Sequence, residues 1–337
     1  MRVLITSDAV GGVSVISSEL SRALTNRGHQ VQVTVFALPR FRLEWMDSGA
    51  PLISDIADAR THLAAVAAQF HPDVVQCNQF AFVGAVPGIP SILSVHSDVV
   101  SWWRWVEGGP PPDTPFQRWY RRLALTALEQ AAAVVTPTRA AAADLLESFG
   151  FDRQVEIIPN ALNFIASRHA SDRSGAVSLG RIWDAAKQFP LLAEAAQLAG
   201  VEVAIAGDRR HPVSQSETHL PGGLHWFGCL DRAAVARLLG SRKVYVAASR
   251  YEPFGLAPLE AAHAGCALLL ADLPSLREVW GDAAIYFDRD SSSDLARNLS
   301  SLLSSPVSSP RSRFARAQAF SPSAMAASYE SLYANCV

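Results

Sequence analysis

Residues 244–260 read Val-Tyr-Val-Ala-Ala-Ser-Arg-Tyr-Glu-Pro-Phe-Gly-Leu-Ala-Pro-Leu-Glu. The apolar run 244–248 predicts a buried strand, the polar stretch after it a loop, and the residues from Gly255 onward a helix. A helix that opens on glycine points free N–H groups at an anion, here those of Phe254, Gly255 and Leu256, and its dipole adds to the attraction. Gly255 has no Cβ to hold a phosphate away from the backbone. Glu252 lies just before this helix, and Glu260 lies within its second turn.

The same strand, loop and helix alternation extends outward in both directions. Toward the N-terminus, strands are expected at 3–6, 31–35, 74–77, 92–95, 134–136 and 155–158. A helix carrying Val13, Ile16, Leu20 and Leu24 on one face stops at Gly28, and others are expected near 56–70, 115–132 and 138–149. Residues 166–175 are polar and without periodicity, as expected of a linker. Beyond them strands recur at 177–179, 203–206, 224–227, 244–248, 267–270 and 285–287, separated by helices near 184–199, 231–240, 255–264 and 291–304. The tail, 311–335, also reads as helix. This alternation predicts an α/β protein of two Rossmann-like domains facing a central cleft, 1–162 and 163–317, with a C-terminal helix at about 318–337 packing back onto the first. Such sheets take their ligands beyond the C-terminal ends of the strands.

Composition narrows the classes. The 337 residues and 36.3 kDa suit about two domains, and 49% hydrophobic against 18% charged residues excludes wholesale disorder. Lys plus Arg is 29 against Asp plus Glu 31, with 12 and 15 in residues 1–165 and 17 and 16 in the remainder, so neither half has the basic excess of a nucleic-acid binder. Lys187 and Lys243 are the only lysines in a chain whose other cations are arginines. Cys77, Cys229, Cys266 and Cys336 are too dispersed for metal-ligand spacing or a disulfide scaffold, which favours a reducing compartment. No apolar window reaches about 18 residues and residues 1–6 are too short for a signal peptide. A cytoplasmic protein is expected, with peripheral contact at the inner face of a membrane left open.

An anion-binding helix start with two nearby carboxylates fits a nucleotide sugar: amides for the diphosphate, carboxylates for sugar and ribose hydroxyls. The competing reading is an ordinary strand-loop-helix with solvated glutamates. His96 ends a strand, where active sites of such sheets gather, although a satisfied core histidine reads the same way. Trp102, Trp103 and Trp105, with Arg118, Trp119, Arg121 and Arg122 downstream, fit an acceptor sugar, a membrane interface or a packed loop. Asp208-Arg209-Arg210-His211 fits either a nucleotide contact or a surface turn.

The segment from Glu252 to Glu260, with Pro-Phe-Gly-Leu between two glutamates eight positions apart, resembles the motif of the retaining GT-B glycosyltransferases of the large family numbered four, group 1 type. Gly11-Gly12 resembles that family's N-terminal glycine loop, Val95-His96-Ser97-Asp98 its active-site histidine segment, and Ile158-Pro159-Asn160 the element before its hinge, with Ala161 in place of the usual glycine. Gly180-Arg181 with Lys187 resembles the pair that grips the donor diphosphate, six positions apart here rather than the more usual five.

The resemblance implies a nucleotide-diphosphate sugar donor, UDP-glucose first and GDP-mannose second. It implies a glycan or lipid-linked acceptor in polysaccharide or cell-envelope synthesis, and no cofactor. It assigns His96, Glu252, Arg181 and Lys187 to catalysis. Gly12, Phe254, Gly255, Leu256 and Glu260 join Arg181, Lys187 and Glu252 as donor-binding residues, and Gly11, Asp98, Trp102 and Trp103 become acceptor candidates. No Asp-x-Asp element sits where a metal is needed, so metal-independent transfer is expected, with two fixed cations and a helix dipole stabilising the leaving group. Two other classes stay open: a sugar-nucleotide epimerase of the same fold, and a non-catalytic sugar- or partner-binding relative. A dehydrogenase is disfavoured because Gly11-Gly12 lacks the full Gly-x-Gly-x-x-Gly fingerprint.

Overall fold

Twelve short β-branched and apolar runs pair into two six-stranded parallel sheets in a computed structural model that describes residues 1–9, 11–36, 50–164, 173–211, 216–305 and 311–337. The expected linker at 166–175 falls outside the described residues except for its last three positions. The chain divides into two units, Met1–Leu162 with Ser321–Val337, and Asn163–Phe320.

The first sheet contains β1 (Arg2–Asp8), β2 (Gln30–Phe36), β3 (Val74–Cys77), β4 (Ser91–Ser94), β5 (Ala133–Thr136) and β6 (Val155–Ile157). Its order is β2-β1-β3-β4-β5-β6, with Val3 opposite both Val31 and Val74. Helices cover it: α1 (Gly12–Asn26), α2 (Ala50–Phe70), α3 (Val99–Val106), α4 (Pro115–Gln130) and α5 (Arg139–Phe149). Central strands are buried on both faces, as parallel sheets under helices require, so Val3, Leu4 and Ile5 are all in the core. From β1 the chain goes to one side, to β2, and then crosses to β3 on the other side. The C-terminal ends of β1 and β3 therefore border a topological switch point.

The second sheet contains β7 (Ala176–Leu179), β8 (Val203–Ala206), β9 (Leu224–Trp226), β10 (Val244–Ala247), β11 (Ala267–Ala271) and β12 (Ile285–Phe287), ordered β12-β11-β10-β7-β8-β9. Its helices are α6 (Phe189–Leu198), α7 (Arg232–Ser241), α8 (Leu256–His263), α9 (Pro274–Trp280), α10 (Ser292–Ser304) and α11 (Arg311–Gln318). Here the direction of winding reverses between β7 and β10, so the loops after these two strands adjoin.

The last helix, α12 (Pro322–Cys336), belongs to the first unit. Its buried Tyr333 hydroxyl donates to Gln76 Oε1 at 3.0 Å, the Gln76 amide donates to Ser94 Oγ at 2.8 Å, and Ser94 lies 2.7 Å from the Tyr329 hydroxyl. On the outer side Glu330 meets Arg27 Nε at 2.8 Å and His29 Nε2 at 2.9 Å. No helix among the described residues is long and apolar enough to cross a membrane, and all four cysteines are free thiols.

Two local expectations are corrected. The Trp-rich stretch is not a loop: Asp98 accepts from the Ser101 N–H at 2.7 Å and starts α3 at Val99. The helix expected near 184–199 is two pieces, a 3-10 turn over Ala185–Lys187 and then α6, separated by Gln188 at φ 47°. Pro190 suits the first turn of α6, where no amide hydrogen is needed.

Candidate active site

Among the described residues side-chain caps mark six α-helix starts, while α6 and α9 open on Gln188 and Leu273 without one. Asp98, Thr114, Thr138, Asp231, Ser291 and Ser321 each accept from an amide at the start of α3, α4, α5, α7, α10 and α12. The two helices that open on glycine have none: α1 at Gly11, φ 87°, and α8 at Gly255, φ 91°. Neither glycine offers a side-chain acceptor to the first-turn amides, which is the feature an anion-binding helix start needs. At Gly255 a Cβ would also meet Pro258 at 3.0 Å and Leu276 at 3.2 Å, so both backbone and packing demand glycine.

In the second domain the loop after β7 is seated by close contact. A Cβ on Gly207 would come within 1.8 Å of the Gly180 carbonyl, and Ile182 N–H donates to Asp208 O at 2.7 Å. The loop then leans on the one after β10: Arg250 N–H donates to Ala186 O at 2.8 Å, and Gln188 Nε2 to Ala248 O at 2.9 Å. This registry brings Lys187 Nζ to 2.5 Å from Glu252 Oε2, with side chains only 19% and 17% exposed. Ser275 Oγ donates to the Glu252 carbonyl at 2.5 Å and holds the loop from the other side.

Arg181 is placed differently. Its guanidinium, 59% exposed, pairs with Asp184 at 2.6 Å and lies 5.3 Å over the Trp183 ring. Asp184 also accepts from Ala186 N–H at 3.0 Å and so caps the turn that presents Lys187. Between Arg181 and Lys187 the chain makes a turn in which Asp184 N–H donates to Arg181 O at 3.1 Å. Phe254 is a core anchor, packed edge-on against Phe320 at 5.4 Å, so only its main chain is open to a ligand.

Burial pushes the Glu260 carboxyl up to about 7, with Arg232 pulling the other way. Burial, then Glu252 and Glu260, push the Tyr245 phenol beneath them well above its ordinary range. Between the usual 4.5 and about 7 the folded chain holds a proton on Glu260 that the unfolded chain releases, so the fold loses stability as pH rises through that window. Glu260→Gln is therefore expected to melt like the wild type near pH 4 and to be the more stable by about 3 kcal/mol near pH 8. Thermal melts across this range check it, and a constant difference would refute it.

In the first domain the polar side chains gather at the switch point. Thr6 Oγ1 donates to Gln79 Oε1 at 2.6 Å, Gln79 Nε2 to Asp8 Oδ1 at 2.7 Å, and Asn78 Nδ2 to Thr6 O at 2.6 Å. His96 Nε2 lies 2.9 Å from Asn78 Oδ1, and the buried Asn160 also hydrogen-bonds the ring. Burial lowers the His96 pKa to about 4, so the ring is neutral near pH 7.

Of the acceptor candidates, Gly11 and Gly12 stand exposed at the start of α1, while the Asp98 carboxylate is buried at the α3 cap. Trp102 and Trp103 are half-buried on α3 with ring centroids 5.9 Å apart. That helix is fastened to α5 by Ser101 and Ser148 hydroxyls 2.9 Å apart and by an Arg104–Glu147 ion pair. Sequence reasoning missed Asp8, Asn78 and Gln79. Their one signal is position, directly after an apolar strand.

The sequence matches two family models, Glycosyltransferase Family 4 over residues 10–164 and Glycosyl transferases group 1 over residues 163–319. No curated protein matches it. Among solved structures, a sucrose-phosphate synthase from Thermosynechococcus elongatus is similar at a TM-score of 0.80 and 17% identity, over 99% of this chain and 98% of that one. A glycosyltransferase from Rickettsia africae is similar at 0.68 and 15%, over 99% and 98%, and an apo structure of OtsA at 0.69 and 12%, over 98% of each chain. At these identities the structures establish the fold, GT-B with two Rossmann-like domains. The two family models together take in residues 10–319, and the chain belongs to the glycosyltransferases of family 4, group 1.

Proposed function

We propose that the protein transfers a hexose, with retention and without a metal ion, from a nucleotide-diphosphate sugar to a glycan or lipid-linked acceptor in polysaccharide or cell-envelope synthesis. UDP-glucose is the first candidate donor and GDP-mannose the second. The observation that carries this reading is the Lys187–Glu252 pair, 2.5 Å apart beside the uncapped start of α8. It joins a cation for a leaving diphosphate to a carboxylate for sugar hydroxyls.

As the bond from the anomeric carbon to the donor phosphate breaks, charge grows on the departing diphosphate. In this reading Lys187 and the amides around Gly255 receive it, with Arg181 joining from its pairing with Asp184, which favours the transition state over the ground state. No carboxylate among the described residues is placed as an obvious nucleophile, so in this reading the acceptor hydroxyl attacks from the face the diphosphate leaves. A phosphate oxygen takes the hydroxyl proton. Glu252 holds donor-sugar hydroxyls, Glu260 the ribose, and His96 orders the reaction centre.

The test is transfer from UDP-glucose, then GDP-mannose, with the product's anomeric coupling read by proton NMR. An α-linked product formed at an undiminished rate in EDTA is expected. A β-linked product would refute retention, and loss of the rate in EDTA would refute metal independence.

A further inference from the structure

His96 has a neighbour whose orientation is fixed twice over. Asn78 Nδ2 donates to the Thr6 carbonyl at 2.6 Å, a group that only accepts. It donates again to Ser17 Oγ at 3.1 Å, whose own hydrogen goes to Val13 O at 2.8 Å. The Asn78 main-chain N–H is likewise held by Thr6 Oγ1 at 3.0 Å. With its nitrogen committed to two acceptors, the amide can turn only its oxygen toward His96 Nε2, 2.9 Å away. An amide oxygen accepts and does not donate, so Nε2 carries the hydrogen of the neutral ring and Nδ1 the lone pair.

We propose that Asn78 is a positioning residue for His96: it fixes the ring as the Nε2–H tautomer, so that His96 enters sugar transfer with its tautomer set and carries no proton of the reaction. The proposal rests on the reading that His96 serves that transfer. The charged and titratable groups on the surrounding elements are engaged elsewhere. Asp8 on β1 pairs with Gln79, Glu19 on α1 with Arg22, Asp98 caps α3, and the Tyr329 hydroxyl on α12 meets Ser94.

Long-range proton–nitrogen NMR on the full chain labelled with ¹⁵N-histidine reads the tautomer directly, without substrate. The wild type is expected to show His96 protonated at Nε2, and Asn78→Ala a mixture of tautomers. With UDP-glucose as donor, Asn78→Ala should lower kcat by about 10- to 100-fold and leave the donor KM within about threefold. Asn78→Asp keeps an acceptor at Nε2 but adds a negative charge. It should retain the tautomer and move the acid limb of the kcat profile upward by about 1–2 pH units, a shift that loss of packing alone does not produce.

A wild-type ring protonated at Nδ1 would overturn the proposal, and so would an Asn78→Ala protein with unchanged kcat and spectrum. If Asn78→Ala fails to fold, the wild-type spectrum and the Asn78→Asp profile still decide. If the wild type does not turn over UDP-glucose or GDP-mannose, the donor reading fails, and the spectrum still decides the tautomer.

Discussion

Alanine in place of Lys187 is expected to slow sugar transfer by about 10³-fold, a loss of about 4 kcal/mol of transition-state stabilisation. The size follows from where the charge sits. Lys187 is only 19% exposed and is held against the α8 loop by neighbouring main-chain contacts, so water does not replace it cheaply. Lys187→Arg keeps the charge but not its compact shape, and should recover only part of the rate. Glu252→Ala is expected to cost about 10²- to 10³-fold. The double variant should be little worse than the poorer single one, because the two residues are ion-paired and each holds the other in place. Stability should change by no more than about 1–2 kcal/mol, between the values for exposed and fully buried pairs. Steady-state kinetics beside thermal melts check this. Near-normal turnover in Lys187→Ala, with the melt unchanged, would remove the charge-stabilisation mechanism.

The second large effect is structural. Tyr333→Ala is expected to destabilise the first domain by about 3–5 kcal/mol, as for other buried large-to-small changes. The ring is wholly buried, and its loss also strips Gln76 Oε1 of its only hydrogen donor among the described residues. Tyr333→Phe isolates that hydrogen bond and should cost about 1–2 kcal/mol. Removing 321–337 takes away Tyr329 and Tyr333 together and should leave the first domain unfolded, since its whole stability is of order 5–15 kcal/mol. Urea unfolding of the point variants and circular dichroism of the truncation test this. A truncated chain with native unfolding behaviour would show that α12 is dispensable.

The twelve strands fall where their apolar runs place them, to within a residue or two, most clearly the central ones, because a strand buried on both faces has little freedom of composition. Helices were less legible where packing overrode pattern. The three tryptophans of α3 suggest a surface segment, and only Asp98, three residues before the amide it caps, signals the helix. The seven residues of α9 are too few to show a period. At the site, Lys187 and Glu252 stand out by charge and motif, and the structure brings them together. Asn78 and Gln79 do not, because neutral amides have no signature of their own. They matter because β1, β3 and β4 lie side by side, which brings residues 6, 78 and 96 to one sheet end, and strand order is not written in local pattern.

The first domain's closing helix begins at Pro322, long after its last strand ends at Ile157. During synthesis a ribosome must make the entire second domain before that helix exists. At about 5–20 residues per second, the interval is roughly ten to thirty seconds. Throughout it the nascent first domain displays the surface meant for Tyr329 and Tyr333, with Gln76 and Ser94 unsealed. Chaperone capture and misfolding of the newborn chain are therefore expected to concentrate on this surface, and the second domain to finish first although its synthesis starts later.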